Sequence, residues 1–321
     1  MLLSSLVDTV LDRTVAPGFS QVGLAVRRRL PDWPADPAPR CLRGRTALVT
    51  GATSGLGLAT ARGLAELGAH VHLVVRDVDK GDRVAEELRG EVPGCHLTVW
   101  RCDVADLEDV ARFAAEMSAS VEALDVVVHN AGAMPSRRSE SPQGHELTMA
   151  LHVLGPVAMT EALLPLLTGR DARVLLVTSG GMYAQRLRDD DPEYVDGDYV
   201  PTTAYARSKR VQVELLETLG DRWAPYGVRV YATHPGWADT PGVQTSLPTF
   251  RLLTRPVLRD ADGGADTTVW LAATSPARPG GGLWHDRHER PLHFRNATRP
   301  TPEQVARMWA WVEERAGLAS G

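Results

Sequence analysis

The chain has 321 residues, 43% hydrophobic and 23% charged, enough for one large domain or two smaller ones with ordinary cores. A net charge of -5 and a pI near 6.1 leave no basic footprint, so nucleic acid is not expected as a partner. Three cysteines, Cys41, Cys95 and Cys102, form no C-x-x-C pair, which argues against a disulfide framework or zinc knuckle and for a reducing, cytoplasmic compartment.

The N-terminus, residues 1–20, lacks a basic leader and carries Asp8 and Asp12, unlike a secretory signal. Leu3, Leu6, Val7, Val10 and Leu11 would share one helix face, expected to pack on the body of the protein. An acidic opposite face binds anionic lipid poorly. No stretch reads as the roughly 20 apolar residues of a bilayer span, so no transmembrane segment is expected. Arg27-Arg28-Arg29 reads as a solvated helix end. Pro31, Pro34, Pro37 and Pro39 then break helix, so residues 21–45 are expected to be an extended connector.

From Thr46 the chain reads as strand, glycine turn, helix. Ala47 to Thr50 run into Gly51, Gly55 and Gly57, with Ala52, Thr53, Ser54 and Leu56 between them. Such a turn lets backbone approach a diphosphate and aims helix N–H groups at it, although a plain strand–helix turn has the same pattern. Strands follow at 70–75, 97–101, 124–129, 173–178 and 228–233. Helices are expected at 79–88, 107–117, 143–167 (kinked at Pro156), 204–223 and 302–317. This alternation predicts a doubly wound, Rossmann-type parallel sheet in three layers. Ligands of such sheets sit beyond the carboxyl ends of the strands. There stand the glycine turn, Arg76, Asp103, Asn130-Ala131-Gly132, Ser179 and Pro235-Gly236.

Tyr205 and Lys209 fall four residues apart, on one face of a predicted helix. A nearby cation favours the phenolate, so the pair could exchange a proton with a substrate oxygen. Ser179, ending a strand, could hold that oxygen as charge develops on it. Each has an ordinary structural reading as well: a surface helix pair, and a turn or cap serine.

Together, Thr50-Gly51-x-x-x-Gly55-x-Gly57, Asp103, Asn130-Ala131-Gly132, Ser179, Tyr205-x-x-x-Lys209 and Pro235-Gly236 resemble the motif series of the short-chain dehydrogenase/reductases, over about residues 44–275. The stretches Val177–Met182 and His234–Gly242, with the N-terminal extension, resemble a narrower group, the dehydrogenase/reductase family member 12-like proteins. The resemblance implies a helical extension and Pro-rich connector at 1–43 and a single NAD(P)-binding catalytic domain at 44–321. It also implies Tyr205 as general acid/base, Lys209 on the nicotinamide ribose and tuning Tyr205, and Ser179 orienting the substrate. The cofactor would lie along Gly51, Thr53, Ser54, Gly55, Leu56 and Gly57, then Asp103 and Val104 at the adenine. Beyond these it would meet Asn130, Ala131, Gly132, Pro235, Gly236 and Trp237, with Thr240 on the nicotinamide amide.

His152 departs from the pattern, standing where the family places an asparagine that steadies a water beside the lysine. Histidine can also bond water and relay a proton, so it is expected to replace the asparagine in the catalytic set. Arg76 suits a 2′-phosphate, so NADP(H) is expected over NAD(H), with Asp77 close enough to compete. The expected function is NADP(H)-dependent hydride transfer to or from a carbonyl or alcohol carbon. The alternative is a non-catalytic NADP(H) sensor or scaffold. Met182, Tyr183 and Trp237, with Leu247, Phe250, Leu252 and Leu253 as a lid, suggest an apolar small-molecule substrate. The acidic insert 186–203 reads as a solvated loop, and no metal site is expected there or at His285, His288 and His293. A homodimer or homotetramer is open to such a chain.

Overall fold

The structure, a computed structural model, describes residues 2–239, 251–252 and 254–318. Among the described residues, eight strands form one sheet in the order β3-β2-β1-β4-β5-β6-β7-β8. They are β1 (Thr46–Thr50), β2 (His70–Val75), β3 (His96–Arg101), β4 (Val126–His129), β5 (Arg173–Val177), β6 (Arg229–Thr233), β7 (Leu283–His285) and β8 (His288–Arg290). All pair in parallel except β7 with β8. Chain order reverses direction between β1 and β4, and the switch opens a crevice above β1.

The central strands are buried on both faces, which is why they read as apolar runs and not as alternations. Leu48 and Val127 point into a core under helices α6 (Leu107–Ser120) and α7 (Leu147–Leu167). Ala47, Val49 and Val128 point into the opposite core, under α4 (Gly55–Glu66) and α5 (Val78–Glu91). Asp77 caps α5 through the Lys80 N–H, and Asp106 caps α6. Such caps contribute about 1 kcal/mol each.

Several sequence expectations change. The long helix starts at Leu147, and its irregularity is a π turn at Ala150–Leu154 just before Pro156. Leu147–Leu167 is long and apolar enough to cross a membrane, contrary to the reading that no stretch is, but it is mostly buried inside the fold. Residues 204–223 divide into α8 (Pro201–Glu214) and α9 (Leu216–Trp223). Helix α10 (Ala261–Ala273) and the β7–β8 hairpin went unread. Helix α10 is rich in Gly, Asp and Thr, and its Val269 packs on Gly63 of α4. Helix α11 (Pro302–Arg315) starts on a Thr301/Gln304 capping box.

The first three helices are α1 (Leu2–Arg13), α2 (Ala16–Phe19) and α3 (Gln21–Arg27), so the connector begins only after Arg27. Helix α1 faces the opposite way from the expectation. Leu6 and Val10 are exposed, whereas Asp12 is buried and Asp8 pairs with Arg27 and Arg290. Arg27 is likewise no solvated helix end: its side chain is 1% exposed, between Asp8 and Asp286. Two buried guanidiniums need carboxylates, and that demand outweighs the apolar face of α1. In the acidic insert, Asp190, Asp196 and Asp198 are exposed, as expected of a solvated loop, but three other carboxylates are engaged. Asp191 pairs with Arg207, Asp189 with Arg307, and Glu193 accepts from the Glu146 N–H.

Candidate active site

The glycine turn is shaped by what lies beneath it. Gly51 has φ +66°, and a Cβ there would lie 2.9 Å from the Ala131 Cα. A Cβ on Gly57 would lie 2.3 Å from the Gly51 carbonyl oxygen and 2.4 Å from Asn130 Nδ2. The turn therefore lies flat on the end of β4, and only glycine permits it. Asn130 holds it down: Nδ2 donates to the Thr50 carbonyl at 3.0 Å, while Thr50 Oγ1 accepts from the Asn130 and Ala131 N–H groups, both at 3.0 Å. Ser54 precedes α4 without a side-chain cap, which leaves the first N–H groups of that helix for a ligand.

Above the turn lies a cavity of about 720 Å³. Of the residues expected at the cofactor, Gly51, Thr53, Ser54, Gly55, Leu56, Arg76 and Val104 line one side. Asn130, Ala131, Gly132, Ser179, Tyr205, Lys209, Pro235, Gly236 and Trp237 line the rest. Gly57 lies beneath the turn. Asp103 does not line the cavity; its Oδ1 accepts from the Ala105 N–H at 3.0 Å. Thr240, Leu247, Phe250 and Leu253 lie outside the described residues; Leu252 is exposed. The sequence reading missed Lys80, in the first turn of α5 at the same end as Arg76. Cations at the β2 end, a helix N-terminus above β1 and a hydroxyl–ammonium set beyond β5 form a donor set that fits a dinucleotide.

At the far end, Ser179 follows β5 and caps the short 3₁₀ helix Gly180–Ala184, accepting from the Gly181 N–H at 3.3 Å. Tyr205 and Lys209 lie one turn apart on α8, and Ser179 and Tyr205 both line the cavity. Burial pushes the Tyr205 phenol up to about 12, while the Ser179 side chain pulls the other way. Lys209 is buried and donates to the Val177 carbonyl at 2.8 Å; burial pulls its ammonium down to about 7. Its Nζ stands 5.6 Å from the centre of the Tyr205 ring. The lowering of Tyr205 expected from Lys209 is not seen: desolvation raises the phenol, and only the Ser179 side chain opposes it.

His152 sits on the π turn, 1% exposed, behind the cavity wall. Its Nε2 accepts from the Ala133 N–H at 3.2 Å, and its Nδ1 is 2.8 Å from Ser208 Oγ. The three C-terminal histidines separate. His285 is buried against His234, His288 sits in the hairpin and His293 lies beside Glu214. Among the described residues no group of three or more His, Cys, Asp or Glu could hold a metal ion.

The N-terminal helices pack behind the wall beyond β6. The Phe19 carbonyl accepts from the Trp237 N–H at 2.7 Å, and the Arg259 N–H donates to the Trp237 carbonyl at 2.7 Å. The Arg259 side chain reaches the Gly18 carbonyl and Asp286, and Asp286 also accepts from Arg27. Gly236 has φ +75°, and a Cβ there would meet the Arg259 side chain and the Phe19 carbonyl at 2.6 Å.

Comparison with known proteins agrees with this geometry. The short chain dehydrogenase family model matches residues 45–188. Dehydrogenase/reductase SDR family member 12 of Bos taurus is 36% identical over 279 residues, 85% of this chain and 86% of its own. Retinol dehydrogenase 12 of Bos taurus is 32% identical, over 74% of this chain and 76% of its own. A short-chain dehydrogenase of Shigella flexneri 2a, solved in complex with NADP, superposes with a TM-score of 0.62 at 25% identity, covering 78% of this chain and 100% of its own. With the sheet, the glycine turn and these relatives in agreement, the chain belongs to the short-chain dehydrogenase/reductase family of NAD(P)-binding Rossmann-fold oxidoreductases.

Proposed function

We propose that the protein is an NADP(H)-dependent oxidoreductase acting on a carbonyl or alcohol carbon of an apolar small molecule, with Tyr205 as general acid/base. The observation that carries this reading is the convergence of Ser179, Tyr205 and Lys209 on one wall of the cavity that begins at the glycine turn. Bound there, the nicotinamide dinucleotide would supply or accept the hydride. Ser179, beside Tyr205 on the same wall, orients the substrate oxygen and leaves the phenol to pass the proton. A phenol raised to about 12 is protonated at neutral pH, the form that donates to a nascent alkoxide. Lys209 is the cation positioned to bind a ribose hydroxyl beside it.

The preference for NADP(H) is supported at the β2 end. Arg76 and Lys80 are exposed on the cavity rim, and neither side chain forms a hydrogen bond or ion pair among the described residues. Asp77 Oδ1 accepts from the Lys80 N–H at 2.9 Å as the α5 cap, which commits part of the acceptor capacity that would favour a free 2′-hydroxyl. Trp237, Leu151 and Met134 on the wall support an apolar substrate. The cysteines are unpaired, in line with a reducing compartment, and a cytoplasmic location is part of this proposal.

The test is incubation with 4-deuterated NADPH and a panel of aliphatic and aromatic aldehydes and ketones, read by mass spectrometry. Deuterium on the product carbinol carbon is expected. Tight NADPH binding with no labelled product from the whole panel would favour a cofactor-binding protein without turnover.

A further inference from the structure

We propose that His152 is a positioning residue: a permanently neutral hydrogen-bond bridge that holds Tyr205 and the Ala131–Ala133 wall in register, and not a proton relay. This rests on the reading of Tyr205 as the proton donor.

The direction of every hydrogen bond around the ring is fixed by its partners. The Ala133 N–H can only donate, so Nε2, 3.2 Å away, presents its lone pair. The Tyr205 carbonyl can only accept, so the Ser208 hydroxyl hydrogen is spent there, at 2.8 Å. Ser208 Oγ therefore accepts from His152 Nδ1–H at 2.8 Å. The chain Ala133 N–H, His152, Ser208, Tyr205 carbonyl has one polarity throughout, and it uses both ring nitrogens. A proton added at Nε2 would point at the Ala133 N–H. The titratable groups facing the ring are Tyr205, edge-on at 5.3 Å between centroids, and Lys209, whose charge opposes a second cation. Burial acts in the same sense.

The backbone of residue 152 is equally committed. Its carbonyl accepts from Gln212 Nε2 at 2.7 Å, and Thr148 Oγ1 of the same helix, which donates to Glu146 Oε2 at 2.6 Å, lies 3.3 Å from the Ala204 carbonyl. Ala204, Ser208 and Gln212, spaced by four, form the face of α8 that meets α7. The π turn at Ala150–Leu154 places His152 where it can reach both the cavity wall and this face, a use typical of π segments.

An asparagine at 152 could replace the Nδ1 bond but is too short to replace the Nε2 bond. A glutamine could do the reverse. The direct test needs no turnover: ¹⁵N-histidine NMR of the full-length protein from pH 5.5 to 8, with the His152 signal assigned by its loss in His152→Gln. A single Nδ1–H tautomer that does not titrate is expected. An Nε2–H tautomer, or titration within that range, overturns the proposal. In kinetics, His152→Asn and His152→Gln should each lower kcat roughly tenfold, change the NADPH Kd less than threefold and keep the wild-type pH profile. A rate loss that grows or disappears with pH, or is restored by added imidazole, would also overturn it. Because the NMR result stands without catalysis, failure of the Tyr205 reading and failure of the bridge are separable.

Discussion

Replacing Asp286 by asparagine tests how the N-terminal helices are tied to the site. The Asp286 carboxylate accepts from Arg259 Nη1 at 2.6 Å, Arg259 Nη2 at 2.9 Å and Arg27 Nη1 at 2.7 Å, and all three side chains are 1% exposed. These cations hold its carboxyl well below the usual range even though burial acts against them. Its backbone has φ +51° in the two-residue β7–β8 turn, a conformation asparagine tolerates as well as aspartate, so the substitution removes charge and leaves the turn intact. Arg27 keeps Asp8, whereas Arg259 loses its carboxylate partner. Removing one member of a buried ion pair costs about 3–5 kcal/mol. At about 2–4 °C per kcal/mol, Asp286→Asn should lower Tm by about 6–20 °C. Arg259 also holds the Trp237 loop, so NADPH should bind more weakly in the folded variant. Calorimetry and NADPH fluorescence titration at pH 7 measure both. A Tm within 2 °C of the wild type, with unchanged NADPH affinity, would refute the reasoning.

Other consequences are as direct. Arg76→Gln and Lys80→Gln should each weaken NADPH binding by roughly tenfold, the lower end for a charge-assisted contact at an exposed rim, and leave NADH binding unchanged. Equal losses for both cofactors would remove the 2′-phosphate assignment. Gly57→Ala should abolish NADPH binding, because its methyl group must push the Gly51 carbonyl and Asn130 apart; unchanged affinity by calorimetric titration would contradict that cradle. Buried His129, bonded to Thr160 at 2.8 Å, is pulled down to about 3 by burial. Its folded value lies below the unfolded one near 6.5, so the stability it contributes is present above pH 6.5 and is lost as pH falls, by about 1.4 kcal/mol per pH unit. Thr160 still donates to the Pro156 carbonyl in His129→Leu, so urea unfolding between pH 6 and 4.5 should lose that slope; an unaltered slope rejects the assignment.

The parallel sheet was legible because buried strands, helical periods and the glycine turn are local signals. The line of residues after successive strands was legible for the same reason: topology places them at one edge. What stayed hidden depends on contacts distant in sequence. Helix α1 turns its carboxylates inward because Arg290 and Arg27 await them, which no periodicity of residues 2–13 contains. Helix α10 has weak intrinsic propensity and is held by its packing on α4. The acidic insert read as solvated because its counter-ions, Arg207 and Arg307, lie on other helices. At the site, the Tyr205–Lys209 spacing was readable, but the competition between charge and desolvation was not, because burial is a property of the whole fold. His152 was visible as a departure, and only the positions of Ala133 and Ser208 fix its hydrogen-bond polarity.

The central claim is that Tyr205 passes the proton in a site that binds NADPH independently of it. The decisive measurement is the Tyr205→Phe variant, assayed for NADPH oxidation with the best carbonyl substrate of the wild type and for NADPH affinity by fluorescence. The phenyl ring keeps its packing against His152 and loses only the hydroxyl. The account expects turnover to fall by at least about a hundredfold, the scale of a lost general acid, with NADPH affinity within threefold of the wild type. Turnover within a few-fold of the wild type at unchanged affinity would contradict it.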